Sequence, residues 1–396
     1  MSDATIPPAA EPDFLVFGQP QIEEEEIAEI VATLRSRWLG SGPRVARFEQ
    51  AFAAYKGLPE DRAAAVNSCT AALHLSLLAC DLEAGDEVIT TAMTFCATIN
   101  AIIHAGATPV LADIDPLTLN LDPDAVAAAI TPRTRAIVPV HFAGYPCDMS
   151  AIQAIAARHD LHIIEDCAHA IETQYRGQPA GTFGEFGCFS FYVTKNLVTG
   201  EGGMVIGRDP GRIDHIRTLA LHGMSRDAWR RFSDSGYRHY QVVDCGFKYN
   251  MTDLQAAIGI PQLKHLERNW RRRQDLWRAY QQDLAEWPLR RPADPDADMR
   301  HAYHLYTIGI DPVHCGIHRD DFLEAMTALK IGVGVHYLSV AEHPYYQQRF
   351  GWRPEAWPVA RRVGMETVSL PLSPALTDAD GARIIETVGR CLDPQR

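Results

Sequence analysis

Lysine is scarce in this chain, five residues against 32 arginines in a length of 396. Positive charge is short overall, with 37 basic against 50 acidic side chains and a net charge of −13. A nucleic-acid partner needs a basic footprint to displace counterions, and an anionic membrane surface needs the same, so both are disfavoured. No uninterrupted apolar run is long enough to span a bilayer. The first residues are acidic and Pro-containing and lack an apolar h-region, so they do not read as a signal peptide. Residues 1–13 are expected to be a poorly ordered leader. Paired cysteines are missing too: the nine are odd in number, scattered, and never in C-x-x-C. That usage points to reduced thiols in a cytoplasmic protein, not to a disulfide framework or a zinc site. No G-x-G-x-x-G is present, and Gly181, Gly184 and Gly187 have the wrong spacing for a dinucleotide turn. His159/His162 and His301/His304 lack the companions of a metal site, and no metal is expected.

What remains is an ordinary globular balance, 46% hydrophobic and 22% charged. Helical spacing covers Glu23–Arg35 and Val45–Tyr55. From residue 63, apolar runs alternate with amphipathic stretches. Strands are expected at Ala63–Val66, Glu87–Thr91, Thr108–Asp113, Ala136–Val140, Leu161–Asp166, Gly187–Tyr192 and Gly203–Gly207. Helices are expected at Thr70–Cys80, Phe95–Ala105, Pro123–Ile130 and Met149–His159. This rhythm predicts an α/β layer with a mostly parallel sheet. Asp253–Leu284 has helical spacing broken near Gly259 and Pro261. Beyond Pro292–Asp298, Tyr303–Ile310 and Gly332–Tyr337 look like strands of a smaller unit, with helices at Arg319–Leu329 and Asp378–Cys391.

An open α/β sheet binds its ligands beyond the carboxyl ends of its strands. Four segments there carry chemistry. Ile163–Ala170 ends a strand in Glu165 and Asp166, followed by His169. Buried carboxylates need a cationic partner, or else Asp166 is a helix N-cap. Ser190–Gly203 places Lys195 between a strand and Gly200-Glu-Gly-Gly203, whereas the other lysines end or ride helices or sit in an aromatic turn. A Schiff-base lysine needs such a confined, partly desolvated place; a hairpin surface is the alternative. Asn67–Leu73 turns from a strand into a helix whose first N–H groups suit a phosphate, although Ser68 or Thr70 acting as a cap would explain it as well. Phe95, at a loop–helix junction, suits stacking on a planar ring or plain core packing.

In this order the four segments resemble the fold-type-I pyridoxal-phosphate enzymes, and more closely the sugar aminotransferase family of the DegT/DnrJ/StrS type. The resemblance runs from Phe17 to Leu372 and includes Trp38–Pro43, Glu165–His169, Lys195 with Gly200–Gly203, His222–Ala228, Gly246–Asp253 and Ser369–Leu372. It implies a large cofactor domain over 14–285 and a smaller C-terminal α/β domain over 286–396, with the N-terminal helices placed to pack against the latter. It implies pyridoxal 5′-phosphate, with pyridoxamine phosphate as an intermediate, and Lys195 as the residue that forms the internal aldimine. Asp166 then pairs with the pyridinium nitrogen, His169 sits by the ring oxygen and Phe95 stacks on the ring. Ser68, Cys69, Thr70 and Ser190 meet the phosphate, with Cys69 where the family usually has Gly. Asn250 reaches the phosphate from the neighbouring subunit of a homodimer.

Members that dehydrate sugars have lost the lysine, so retention of Lys195 favours transamination. The implied donor is L-glutamate and the implied acceptor is a nucleotide-linked keto-sugar, aminated at C4 of a 4-keto-6-deoxy sugar or pentose. His336, Tyr337 and Arg226 are the candidate substrate residues, although Ala341-Glu342 departs from the family pattern. A cyclitol or other cyclic-ketone aminotransferase would use the same cofactor residues. A non-catalytic cofactor-binding regulator is the reading from another class, and it would need a basic DNA-binding module this chain has no room for.

Overall fold

The computed structural model describes residues 13–225 and 240–393. The apolar runs form one sheet of seven strands: β1 (Ala63–Val66), β2 (Glu87–Thr91), β3 (Thr108–Ala112), β4 (Thr134–Val138), β5 (His162–Asp166), β6 (Phe186–Ser190) and β7 (Gly203–Gly207). Their order is β1-β7-β6-β5-β4-β2-β3. The neighbours from β6 through β5, β4 and β2 to β3 are parallel, and β7 runs antiparallel to both β1 and β6. The expected α/β class with a mostly parallel sheet is what forms.

Both faces of the sheet are covered, which is why its strands read as continuous apolar runs. Ala64, Val66, Val88, Val138, Ile164 and Val205 pack under α3 (Cys69–Leu78) and α7 (Pro210–Ala220). The alternate residues Ile89, Ile137 and Ile163 face α5 (Pro123–Ala129) and α6 (Met149–His159). Ala63, Met204 and Ile206 pack instead with Phe48 and Phe52 of α2 (Pro43–Tyr55). α1 (Glu24–Ser36) lies on the long helix α8.

α8 (Asp253–Asp283) is one helix, contrary to the expected break. Pro261 removes one backbone donor and would cost about 3 kcal/mol in an isolated helix. Burial of Ala256, Ala257, Pro261 and Leu266 holds the helix together. Gly259 has a packing reason: a Cβ there would lie 2.7 Å from the Phe48 ring. The second half of α8 enters another core. There Trp277 and Tyr280 meet a two-stranded antiparallel ribbon, β8 (Tyr306–Gly309) with β9 (Thr367–Leu370), and residues of α9 (Arg319–Ala328) and α10 (Asp378–Leu392). Gly332–Tyr337 is not a strand. Only Ile331 and Gly334 make single bridges, to Leu15 and Ser369, so the segment touches two elements without completing a ladder with either.

Candidate active site

β5, β6 and the β1–α3 turn end side by side, because β5 and β6 are neighbours and β1 joins them through β7. Their ends surround a cavity of about 440 Å³. Ser68, Cys69, Thr70, Phe95, Asp166, His169, Ser190, Lys195, His336 and Tyr337 all line it. These ten candidates are drawn from five separate stretches of chain.

Lys195 sits in a turn closed by its own N–H donating to Tyr192 O at 2.9 Å. Burial pulls its amine down to about 8, against the opposing pull of Cys69 and Asp166. No acceptor among the described residues takes a hydrogen bond from its Nζ. Gly200 adopts φ +81°, in the left-handed region that favours glycine. Gly203 is needed for a close approach: a Cβ there would stand 2.5 Å from the carbonyl carbon of Ser68.

Asp166 takes its position from strand alternation, sharing the Ile164 face towards α3. Burial raises its carboxyl, while the Ala168 N–H and Thr98 hydroxyl act to lower it. Those donors stand 3.1 Å from Oδ1 and 2.8 Å from Oδ2. No helix follows β5, so Asp166 caps a turn rather than a helix. Thr98 was not singled out from the sequence. Its signal is position: it lies one turn after Phe95 at the start of α4 (Cys96–His104).

Ser68 is the N-cap of α3, its hydroxyl accepting from Ala71 N at 3.1 Å. The capping alternative therefore holds, and it leaves the N–H groups of Cys69 and Thr70 with no acceptor among the described residues. The Cys69 side chain is accommodated by turning back, its Sγ donating to Cys188 O at 3.5 Å.

His169 Nδ1 accepts from Ala143 N at 3.2 Å, which places its proton on Nε2, 3.0 Å from the Tyr337 hydroxyl. Burial, with Lys195 adding to it, pushes His169 well below its ordinary value, so the ring is neutral. His304 packs on it with ring centroids 4.4 Å apart. His336 is lowered to about 4, again mainly by burial, and pairs through Nδ1 with Ser369 Oγ at 2.8 Å. Phe95 is 57% exposed and presents its ring to the cavity.

Two candidates lie elsewhere. Asn250 does not line the chain's own cavity; its amide donates to Ser41 Oγ at 2.6 Å, and its Oδ1 is buried without a partner among the described residues. Arg226 lies outside the described residues. Of the two acids on β5, Glu165 faces away from the cavity. It accepts from the N–H groups of Gly181, Phe183 and Gly184 and from His141 Nε2. His141, Glu165 and Cys167 bring ligand atoms within 4.8 Å of one another. The oxygens of Glu165 and both ring nitrogens of His141 are already engaged, Nδ1 by Cys147 N–H, so this group is an anchor for the 181–184 loop.

Among the described residues, the cavity offers an amine without a hydrogen-bond acceptor, a buried acid, two unclaimed N–H groups at a helix start and the exposed aromatic face of Phe95. A ligand with an aldehyde, a basic ring nitrogen, a phosphate and a flat ring finds one partner for each. Pyridoxal phosphate fits this set.

A family model described as the DegT/DnrJ/EryC1/StrS aminotransferase family matches residues 20–389. The spore coat polysaccharide biosynthesis protein SpsC of Bacillus subtilis is 49% identical over 380 residues, 95% of this chain and 96% of that protein. The aminotransferase TlmJ from Streptoalloteichus hindustanus superimposes with a TM-score of 0.88 at 34% identity, covering 96% of this chain and 99% of its own. Spr1654 from Streptococcus pneumoniae, solved in a PMP form, gives 0.89 at 31% identity, over 96% and 99%. Its PLP form gives 0.89 at 30%, over the same shares. No helix among the described residues is long and apolar enough to cross a membrane.

Proposed function

We propose a substrate for a chain that belongs to the DegT/DnrJ/EryC1/StrS family and is a pyridoxal-phosphate-dependent aminotransferase: it moves the amino group of L-glutamate to a nucleotide-linked keto-sugar, at C4 of a 4-keto-6-deoxy sugar or pentose. The observation that carries the reading is Lys195. It is an amine that burial brings down to about 8, with no acceptor for its hydrogen bonds among the described residues, on the cavity that Asp166 also lines. The similarity to SpsC, named for polysaccharide biosynthesis, supports a sugar acceptor and a role in amino-sugar biosynthesis.

When bound, the cofactor supplies an electron-poor ring that stabilises negative charge on the carbon beside the transferred nitrogen. Asp166, held by Thr98 and Ala168, keeps a proton on the ring nitrogen. The N–H groups of Cys69 and Thr70, with Ser68 and Ser190, hold the phosphate at the positive end of α3. Phe95 covers one ring face and His169 lies beside it. Lys195 Nζ holds the cofactor, then takes and returns the proton on the reacting carbon; lowering its pKa towards the working pH is what such a base needs. His336 and Tyr337 face the acceptor, and Arg226 stays a candidate substrate residue on the family resemblance alone. In this reading the protein is a homodimer, and Asn250 of the partner subunit completes the phosphate site. That the chain's own Asn250 lies off its own cavity supports this.

The test is a visible absorbance titration. The holoenzyme is converted with L-glutamate, freed of amino acid and given nucleotide-linked 4-keto-sugars one at a time. Rapid return of the original band with one of them is the expected result. A band that only a cyclitol ketone restores would replace the sugar with that acceptor.

A further inference from the structure

Behind the catalytic cavity runs a buried polar chain. Glu172, Asn196 and His304 are all buried, and none of the three lines the cavity. They come from the loop after β5, the turn after β6 and the stretch before β8. Asn196 follows Lys195 in sequence and joins the other two. Its Nδ2 donates to Ala302 O at 2.8 Å and to both oxygens of Glu172 at 3.0 Å. Its Oδ1 stands 3.0 Å from His304 Nδ1. The His304 ring lies against His169, and both residues hang on Ala143. The Ala143 N–H donates to His169 Nδ1, and its carbonyl accepts from the His304 N–H at 3.0 Å.

An amide has two unlike ends, so this chain has one direction. The Ala302 carbonyl can only accept, and the Glu172 oxygens lie on the same side, which turns the NH2 of Asn196 towards them. Oδ1 is left to accept, so His304 carries its proton on Nδ1. Burial pushes His304 well below its ordinary value, and the ring is neutral. Burial also pushes Glu172 up to about 7, opposed by the Arg273 guanidinium and the Asn196 amide. Three buried polar groups cost desolvation that an apolar trio of the same volume would not. What they supply in return is direction: a fixed amide, a single tautomer and one ring plane.

We propose that Asn196 is a positioning residue for two cofactor-facing groups: it anchors the Lys195 turn to Glu172 and Ala302 and, through His304, fixes the ring of His169. The inference rests on the reading that Lys195 holds the cofactor and His169 lies beside its ring. His169, neutral with its proton on Nε2, has one donor to give the ring oxygen. That bond draws charge out of the conjugated system, so the nitrogen that Lys195 supplies gives up its proton at lower pH. A His169 ring that is no longer held donates less, and the proton stays on to higher pH.

Absorbance of the holoenzyme across a pH series tests this, because the visible band of bound pyridoxal phosphate changes when that nitrogen loses its proton. Asn196→Ala removes the anchor. His304→Phe keeps a flat ring against His169 and removes the donor to Asn196 Oδ1; a ring of similar volume replaces a ring, so it folds even where Asn196→Ala does not. Asn196→Ala is expected to move the midpoint of the band up by about one pH unit and His304→Phe by about half of that, the scale of one lost hydrogen bond. In Asn196→Ala, kcat is expected to fall about tenfold while KM for L-glutamate stays within about threefold. Parental midpoints in both folded variants overturn the inference, even where their urea midpoints drop, because a joint that only stabilises moves the melt and not the band. A midpoint moved by Asn196→Ala alone overturns the arm that runs through His304 to His169. A Lys195→Ala protein that keeps the parental pH-dependent band overturns the reading of Lys195 itself, and this inference with it.

Discussion

Glu165 and Asp166 are consecutive carboxylates on one strand, and Lys56 and Lys195 are two lysines that burial brings to about 8. One member of each pair lies in the cavity and the other lies away from it. Glu165 is wrapped by three backbone N–H groups and His141. Lys56 donates to Ile171 O at 2.7 Å and Ala180 O at 3.0 Å, over the Phe189 ring at 4.4 Å. Asp166 has two donors, and Lys195 has no hydrogen-bond acceptor among the described residues. Residue class and the direction of the lysine shift are shared across the comparison, and both carboxylates are buried, whereas Lys56 is closed in and Lys195 is partly open to the cavity. What separates the regions is whether the polar atoms are already satisfied. A shifted pKa marks a desolvated group; unspent hydrogen-bonding capacity facing a cavity marks one that can act on a ligand.

The largest effect expected from breaking this comparison is at the lysines. Lys195→Ala should lower turnover by about four orders of magnitude, the scale of losing a positioned base, with the denaturation midpoint little changed. Lys56→Met should do the reverse. Two buried carbonyls lose their donor at a cost of about 2 kcal/mol, seen as a lower urea midpoint, while turnover per folded molecule stays within a fewfold. If Lys56→Met abolishes activity in fully folded enzyme, the division drawn here is wrong.

The carboxylates come next. Asp166→Asn should lower kcat about a thousandfold, the scale of losing a preorganised electrostatic partner in a dry site. Glu165→Gln should keep most of the activity. An amide there turns an NH2 group towards backbone N–H donors, and about 3 kcal/mol of stability should go. Paired urea melts and steady-state rates on both variants decide the matter.

Much of this site was legible in the sequence because its residues follow strand ends, and strand ends show as apolar runs that stop. Glu87–Thr91, Gly203–Gly207 and Met149–His159 have the predicted bounds. Ser68, Asp166 and Lys195 were found by that rule. The choice of Asp166 over Glu165 came from the family resemblance and not from the strand pattern, although period-two alternation contains the answer: Asp166 has the parity of Ile164. Thr98 escaped because its one signal, a place one turn after Phe95, says nothing of its partner; only the fold brings it to Asp166. Pro261 misled because local propensity argues for a break that packing overrides. Gly332–Tyr337 misled because β-branched residues between glycines look like a strand whether or not a ladder awaits them. The bond between His169 and Tyr337 spans 168 positions and could not be read from either motif.

A smaller effect sharpens the lysine comparison through pH. Only the neutral amine attacks an aldehyde. Burial disfavours the charged form, so Lys195 sheds its proton near pH 8 instead of above 10. The rate at which apoenzyme takes up pyridoxal phosphate should therefore rise about fivefold from pH 7 to 8 and flatten above 9. An ordinary lysine, at about 10.4, would keep gaining close to tenfold per unit up to about pH 9 and would still be rising at 10. Stopped-flow absorbance across pH 6.5–10 reads the curve. A rise continuing past pH 9.5 would show that Lys195 is not desolvated in the free enzyme.

The smallest effect concerns how Asp166 is held. Thr98→Val keeps the shape of the side chain and removes the hydroxyl that lies 2.8 Å from Oδ2. Of the two donors on this carboxylate, that leaves only the Ala168 N–H. The lost hydrogen bond favoured the ionised form, so the carboxyl moves further up, in the direction burial already drives it. An acid that must be ionised to hold a proton on a neighbouring nitrogen then works over a narrower range. The acid limb of kcat against pH should shift to higher pH, and kcat at its plateau should fall about threefold to tenfold, the scale of losing one hydrogen bond. KM for L-glutamate, the proposed donor, should hold, because the Thr98 hydroxyl is spent on Asp166. A change in KM with the acid limb unmoved would instead make Thr98 part of the substrate wall, and Asp166 would then be oriented by Ala168 and the strand alone.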